Sequence, residues 1–408
     1  MEIVLLHYTA PPVVGGVEGV LAEQARLLRA AGYRVRILTG RGGKEEGHTL
    51  LPLLYGRHPE IQAAHRAMER GDPRPFERVR DRIVQDLTAY VQNCLLLVHN
   101  VFTLDKNLPL TAALHRLLDR FPWARMVAWT HDLSWADPAV ASRMRPEYPW
   151  SLLRTPRPEI TYVAVSEAVR DLLIRVLGVE PEKVPVIPPG VSLESLHPLQ
   201  PRTRTLLERL RIPDRFPVLL TPVRVTRRKN LELAVRITAA IRDAGAAPLL
   251  VVTGPPGAHT AANRSYLGEL AALRDTLGLR AHCVFLAELG VRCTARMVGD
   301  LYLMADAVLL TSVQEGFGLP VAEAGLMRVP VFCTAIPALQ EVAGPHVRFF
   351  PPQDSPEEIA REILRDLAQN PQSALRRRIL ERFTWDRVFH ERMQPLLDRL
   401  LHPAAAGR

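Results

Sequence analysis

Two glutamates, Glu315 and Glu323, bracket the turn Gly316-Phe317-Gly318-Leu319-Pro320. The apolar run Ala307–Leu310 before it reads as a strand, and Leu319-Pro320 reads as the start of a helix. Glycines let a backbone turn tightly and approach a ligand, and a helix start offers unpaired N–H groups at the positive end of its dipole. A carboxylate accepts charge-assisted hydrogen bonds and suits sugar hydroxyls. One glutamate comes from the loop and the other from the first helical turn, so the two can face different parts of one ligand. The spacing alone also fits a plain capping loop in which Glu323 only favours the dipole.

A second cluster, Arg224-Val-Thr-Arg-Arg-Lys229-Asn230, follows the strand-like run Val218–Val223 and precedes a helix. Arginine as a planar fork and lysine as a point charge can together neutralise a diphosphate. Lys229 is one of only four lysines (with Lys44, Lys106 and Lys183) among 52 basic residues, a hint that an ammonium is wanted there. A surface basic cluster is the alternative. In the first half, Gly15-Gly16 fills the first strand–helix turn and can bring backbone amides to a phosphate or an acceptor. The turn is not GxGxxG, and Arg34, Arg36 and Arg41 surround the place of a ribose-reading acid, with no acid before Glu45, which disfavours a nicotinamide enzyme. His131-Asp132 follows Met126–Trp129, where a histidine can bond a sugar hydroxyl or move a proton. His99-Asn100, with Lys106-Asn107 beyond, forms another polar cluster and a candidate acceptor contact.

These positions require strands that end at a common edge. Apolar runs read as strands at Ile3–Leu6, Tyr33–Leu38, Leu95–Val98, Met126–Trp129 and Ile160–Val165, then at Val218–Val223, Leu249–Val252, Val284–Leu286, Ala307–Leu310 and Val329–Cys333. Helical stripes alternate with them, and Ser355-Pro356-Glu357-Glu358 reads as a capping box opening another helix. Such alternation predicts an α/β fold of two Rossmann-like domains with parallel sheets. The proline-rich stretch from Pro188 to Pro217 marks the join. The expected organisation is 1–195, 196–382 and a closing helical region, 383–408, whose last residues form a frayed tail.

Composition excludes several classes. At 408 residues, 47% hydrophobic and 23% charged, the chain reads as globular, with no apolar run of membrane-spanning length. The first residues run directly into a strand without the features of a signal peptide, and a reducing cytoplasm is expected. Cys94, Cys283, Cys293 and Cys333 lack CxxC spacing; His282-Cys283 with Cys293 raises a metal site, but buried strand cysteines fit better. The formal charge of +9 comes with basic runs at Arg74–Arg82 and Arg376–Arg378, read as solvated helices. Neither interleaves aromatics, so no nucleic-acid module is expected, while peripheral membrane contact stays open.

Together these residues closely resemble the retaining family-four glycosyltransferases of GT-B architecture, the glycosyl transferases group 1 type. The likeness spans nearly the whole chain: Gly15-Gly16, His131, Val186-Ile187-Pro188-Pro189-Gly190-Val191, Arg224 with Lys229, Glu315 to Glu323 and Phe383-Thr384-Trp385. The family commonly has Asn where this chain has Pro189. The resemblance implies two domains facing each other across a cleft that holds a nucleotide-sugar, with the last helix crossing back to the first domain. Arg224 and Lys229 would hold the donor diphosphate, Glu315 the sugar hydroxyls and Glu323 the ribose. The turn Gly316, Phe317, Gly318 and Leu319 would donate backbone hydrogen bonds. Gly15 and Gly16 would meet the phosphate side and His131 the donor sugar, while His99, Asn100 and Asn107 would touch the acceptor. The catalytic set is then His131, Arg224, Lys229 and Glu315, acting without metal or other cofactor. The donor would be a UDP- or GDP-hexose and the acceptor a small polar or lipid-linked hydroxyl compound. A GT-B epimerase or hydrolase, or a silent nucleotide-sugar-binding protein, are the alternatives.

Overall fold

A computed structural model describes residues 2–43, 47–255 and 261–402; Lys44, Glu45 and the tail 403–408 lie outside the described residues. The chain divides into two compact units, one running up to Val191 and resuming at Phe383, the other spanning Ser192–Arg382.

The first unit holds strands β1 (Glu2–Thr9), β2 (Arg34–Arg41), β3 (His48–Leu50), β4 (Cys94–His99), β5 (Arg125–Thr130) and β6 (Ile160–Ala164) in one sheet, ordered β3-β2-β1-β4-β5-β6. Every pairing is parallel. The unbroken apolar runs follow from this, because both faces are covered. Ile3 and Leu5 of β1 pack on one face with Leu95 and Leu97 of β4, against the helix Gly16–Ala30. Val4 and Leu6 pack on the other face, with Leu96 and Val98, against the helices Pro59–Glu69, Arg74–Asn93 and Leu108–Arg120.

The segment Trp385–Leu401 belongs to this first unit. It is helical throughout, with a π-helical turn at Phe389–Met393, and buries Trp385, Phe389, Met393 and Leu397 in the core of β1 and β4. Its start is stapled by backbone hydrogen bonds between Val191 and Phe383 (2.7 Å) and between Trp385 and Val191 (3.3 Å). The chain thus leaves the first unit at Val191 and returns to it at Phe383. Gly190 permits the approach: a Cβ there would lie 2.6 Å from the Trp385 backbone.

The second unit repeats the plan with β7 (Val218–Thr221), β8 (Leu249–Val252), β9 (Cys283–Phe285), β10 (Ala307–Leu310), β11 (Val331–Thr334) and β12 (Arg348–Phe350), ordered β12-β11-β10-β7-β8-β9 and all parallel. One continuous core fills both faces. The capping box forms as the sequence predicts: Ser355 Oγ accepts from the Glu358 amide while Glu358 accepts from the Ser355 amide, opening the helix Pro356–Gln369.

Some expectations change. The edge strands β3 and β12 are three residues each, too short to show a period in sequence. Arg376 is not merely solvated: it donates to the buried Asp306 carboxylate at 2.5 Å and to the Met304 carbonyl at 2.9 Å. In the other basic run, Arg74 pairs with Asp72 and Arg80 with Asp81, and Arg82 reaches Glu60. Cys94, Cys283 and Cys333 are buried free thiols on strands, whereas Cys293 is half-buried outside any strand. Among the described residues no helix is long and apolar enough to cross a membrane, and no cluster of three His, Cys, Asp or Glu could hold a metal ion.

Candidate functional site

Both sheets have the same topological break. The chain enters at a central strand (β1 or β7), builds outward on one side, then returns to the strand beside the first (β4 or β10). Loops leaving the carboxyl ends of those two neighbours diverge to opposite faces, and the crevice so opened is where α/β sheets bind ligands.

In the second unit, the loop after β7 carries Arg224 and Lys229, and the loop after β10 carries Glu315 and the glycine turn. The structure brings Lys229 and Glu315 together. Lys229 Nζ and Glu315 Oε1 form an ion pair in which each side chain keeps only 8% of its surface exposed. Ser312 Oγ donates to the same carboxylate at 2.7 Å. Thr311, just past β10, donates to the carbonyls of Lys229 (2.9 Å) and Asn230 (2.8 Å), clamping the first loop onto the second. Asn230, left-handed at φ 46, then turns the chain into the helix Leu231–Asp243. Asparagine tolerates that conformation better than most residues.

Gly318 is the N-cap of the helix Leu319–Leu326. At φ 94 it occupies glycine territory, and a Cβ there would meet Leu339 Cδ2 at 2.5 Å. The cap supplies no side-chain acceptor, and among the described residues the amides of Gly316, Phe317, Gly318 and Leu319 meet no backbone carbonyl. These four donors directly follow Glu315, the partner of Lys229, in the chain. Phe317 and Leu319 are exposed around them. Glu323, one turn further, is exposed, with Oε2 held by the buried Tyr302 hydroxyl at 2.7 Å. Arg224 is exposed and makes no ion pair or side-chain hydrogen bond among the described residues. The chemistry of these groups, a guanidinium, an ammonium and turn amides with carboxylates nearby in sequence, is of the kind that suits a polyanion bearing hydroxyls.

In the first unit, the switch point gathers a histidine cluster. His99, the last residue of β4, is wholly buried; its Nδ1 lies 3.1 Å from His131 Nε2, and its carbonyl is 3.0 Å from His7 Nδ1. The His99 ring stacks on Trp129, and its Nε2 has no hydrogen-bond partner among the described residues. Burial lowers all three imidazoles, His7 and His131 to about 4 and His99 well below its ordinary value, so the cluster is neutral at physiological pH. Asn100, left-handed at φ 64, receives the amides of His131 (2.7 Å) and Asp132 (3.1 Å) on Oδ1 and donates Nδ2 to Asp132. Gly16, His7, Asn100 and Asp132 line a cavity of about 540 Å³. Gly15 is the uncapped N-cap of the helix Gly16–Ala30.

Two of the expected acceptor contacts take other roles. Asn107 is fully buried: its Oδ1 caps the helix Leu108–Arg120 and its Nδ2 donates to the carbonyls of Leu53 and Leu54, so its amide positions the chain. Among the described residues the buried His99 ring meets His131, and its backbone carbonyl meets His7. Sequence reasoning missed His7, although a histidine inside an apolar strand is a visible anomaly. It also missed Tyr302, Thr311 and Ser312, whose partners lie on other elements and leave no spacing signature.

Two family models match the chain: Glycosyltransferase Family 4 over residues 14–195, and Glycosyl transferases group 1 over residues 203–382. A D-inositol 3-phosphate glycosyltransferase of Xylanimonas cellulosilytica is 30% identical over 184 residues, 44% of this chain and 42% of that protein. One from Kineococcus radiotolerans is 33% identical over 183 residues, 44% of this chain and 40% of the relative. The chain thus spans less than half the length of these curated relatives. A glycosyltransferase structure from Rickettsia africae aligns over 99% of this chain and 100% of its own, at 18% identity and a TM-score of 0.38, a superposition too loose to add to the two sheets described above. Because the two family matches run through both units, site loops included, the chain belongs to the glycosyltransferases built from a Family 4 half followed by a group 1 half.

Proposed function

We propose that this protein transfers a hexose from a nucleotide-diphosphate sugar to an acceptor hydroxyl, with retention of anomeric configuration and without a metal. The reading is supported by the Lys229–Glu315 pair where the loops after β7 and β10 meet, with Arg224 on the first of those loops and the Gly316–Leu319 turn on the second. Lys229 has one ammonium hydrogen on Glu315 and two to offer a diphosphate; Arg224 offers its whole fork. Glu315 accepts sugar hydroxyls on its second oxygen, and Glu323, steadied by Tyr302, accepts the ribose hydroxyls. In the retaining step, the acceptor oxygen attacks the anomeric carbon on the face that the diphosphate leaves. The departing phosphate oxygen takes the acceptor proton, and the cations stabilise its growing charge. Paired cations suffice for that charge, which is the basis for proposing metal independence. His131, neutral and tethered to His99, serves as a hydrogen-bond partner for a sugar hydroxyl. UDP- and GDP-hexoses are the donors proposed. The acceptor binds in the first unit, and the relatives' printed substrate, D-inositol 3-phosphate, is a small polar example of its kind.

The test is incubation with UDP- and GDP-hexoses in the presence of a chelator, with and without an acceptor panel, reading products by NMR. An α-linked product from an α-linked donor is expected. An inverted product would defeat the same-face step, and epimer or free sugar from donor alone would replace transfer with epimerisation or hydrolysis.

A further inference from the structure

His131 is the half-buried member of the histidine cluster, and its two ring nitrogens have different neighbours. Nε2 lies 3.1 Å from Nδ1 of the wholly buried His99, whereas Nδ1 has no hydrogen-bond partner among the described residues. Neither ring is charged at neutral pH, since burial lowers His131 to about 4 and His99 well below its ordinary value. One proton therefore lies between the two rings. Whichever ring donates it, the role of the remaining nitrogen on each ring is fixed.

His99 decides which ring donates. It is stacked on Trp129 with 24° between the planes, and its Nε2 has no hydrogen-bond partner among the described residues. A proton on Nε2 would be a buried N–H without an acceptor. With the proton on Nδ1, Nε2 keeps only an idle lone pair. Buried N–H groups are rarely left without an acceptor, so the idle lone pair is the lesser cost. His99 thus donates Nδ1–H to His131 Nε2, which leaves the His131 proton on Nδ1. Asn100 completes the placement from the backbone, taking the His131 amide on Oδ1 at 2.7 Å.

We infer that His99 is a positioning residue that makes His131 a one-way hydrogen-bond donor, with Nδ1–H aimed at a lone pair of a substrate oxygen and Nε2 closed to a substrate proton. The inference rests on the transferase reading above and deepens it. His131 holds a sugar oxygen by its lone pair and is not the base, so the proton of the attacking hydroxyl goes to the departing phosphate.

NMR of the full chain carrying isotope-labelled histidine reads the tautomers at neutral pH, with signals assigned by their loss in His99→Leu and His131→Asn. Both His99 and His131 are expected to show a protonated Nδ1 and an unprotonated Nε2. A protonated Nε2 on either ring would overturn the inference. His99→Leu removes the donor and should let His131 redistribute toward Nε2–H. In transfer assays with UDP- and GDP-hexoses, His131→Ala should lower kcat/KM about tenfold, the loss of one hydrogen bond. His131→Asn, which keeps an N–H at the Nδ1 position, should lose less. His99→Leu should cost several-fold in the unaltered chain and clearly less in His131→Asn, where no Nε2 is left to hold. An equal loss in both backgrounds would mean that His99 serves only the fold and would overturn its positioning role. The tautomers are read without substrate, so a chain that shows them yet transfers from no donor sinks the transferase reading alone.

Discussion

Lys229 and Glu315 come from loops on two adjacent strands, 86 residues apart in sequence, and meet as an ion pair that is almost wholly shielded from water. Removing one partner strands the other's charge in a desolvated place. Lys229→Ala and Glu315→Ala should each lose about 3–5 kcal/mol of stability. The double variant should lose clearly less than the sum, which urea unfolding in a double-mutant cycle measures. Additivity within about 0.5 kcal/mol would mean the pair does not couple.

Arg224 makes the opposite case. Exposed, and without an ion pair among the described residues, it should tolerate Arg224→Ala within about 0.5 kcal/mol of stability. Turnover should fall by roughly two to three orders of magnitude, as when a positioned transition-state donor is lost. Near-normal turnover would remove the diphosphate role.

Gly318 and Gly316 separate turn geometry from mere proximity to the ligand. Gly318→Ala places a Cβ against Leu339 in a left-handed backbone and should cost about 1–3 kcal/mol while weakening donor binding. Gly316→Ala enters open space and should leave the fold unchanged. Melting curves of the two variants, with and without UDP- or GDP-hexose, check both outcomes.

Tyr302→Phe removes the hydroxyl that orients Glu323. If Glu323 reads the ribose, the donor KM should rise about tenfold with little change in turnover. A change in kcat with KM fixed would place Glu323 elsewhere in the reaction.

The histidines predict a pH dependence. His7 and His131 titrate near 4 in the folded chain against 6.5 ordinarily, because burial disfavours their charged forms. Between those values the unfolded chain binds protons that the folded chain refuses. Stability is therefore complete above pH 6.5 and falls as pH drops toward 4, each ring contributing a slope of up to about 1.4 kcal/mol per pH unit. Melting temperatures from pH 7 to 5 should show the decline, and His131→Asn should make it shallower. An unchanged slope would mean that these rings are not the source.

The alternation of apolar runs with helical stripes determined the architecture, because a parallel strand covered on both faces needs an unbroken apolar run and a crossover helix needs its own stripe. Local chemistry also lay open in the sequence where one segment contains all of it: the Ser355–Glu358 capping box, the Gly318 cap and the two glutamates around the turn. Tertiary structure alone decided which polar groups meet. Strand order sets β7 beside β10 and β1 beside β4, so Lys229 finds Glu315, Tyr302 finds Glu323, and His99 joins His7 to His131. It also gave Asn107 and Arg376 structural partners in place of the solvent or ligand that their polarity suggested. Pairing across a sheet depends on the order in which strands are added, and that order is settled by the packing of the whole unit, which no local spacing records.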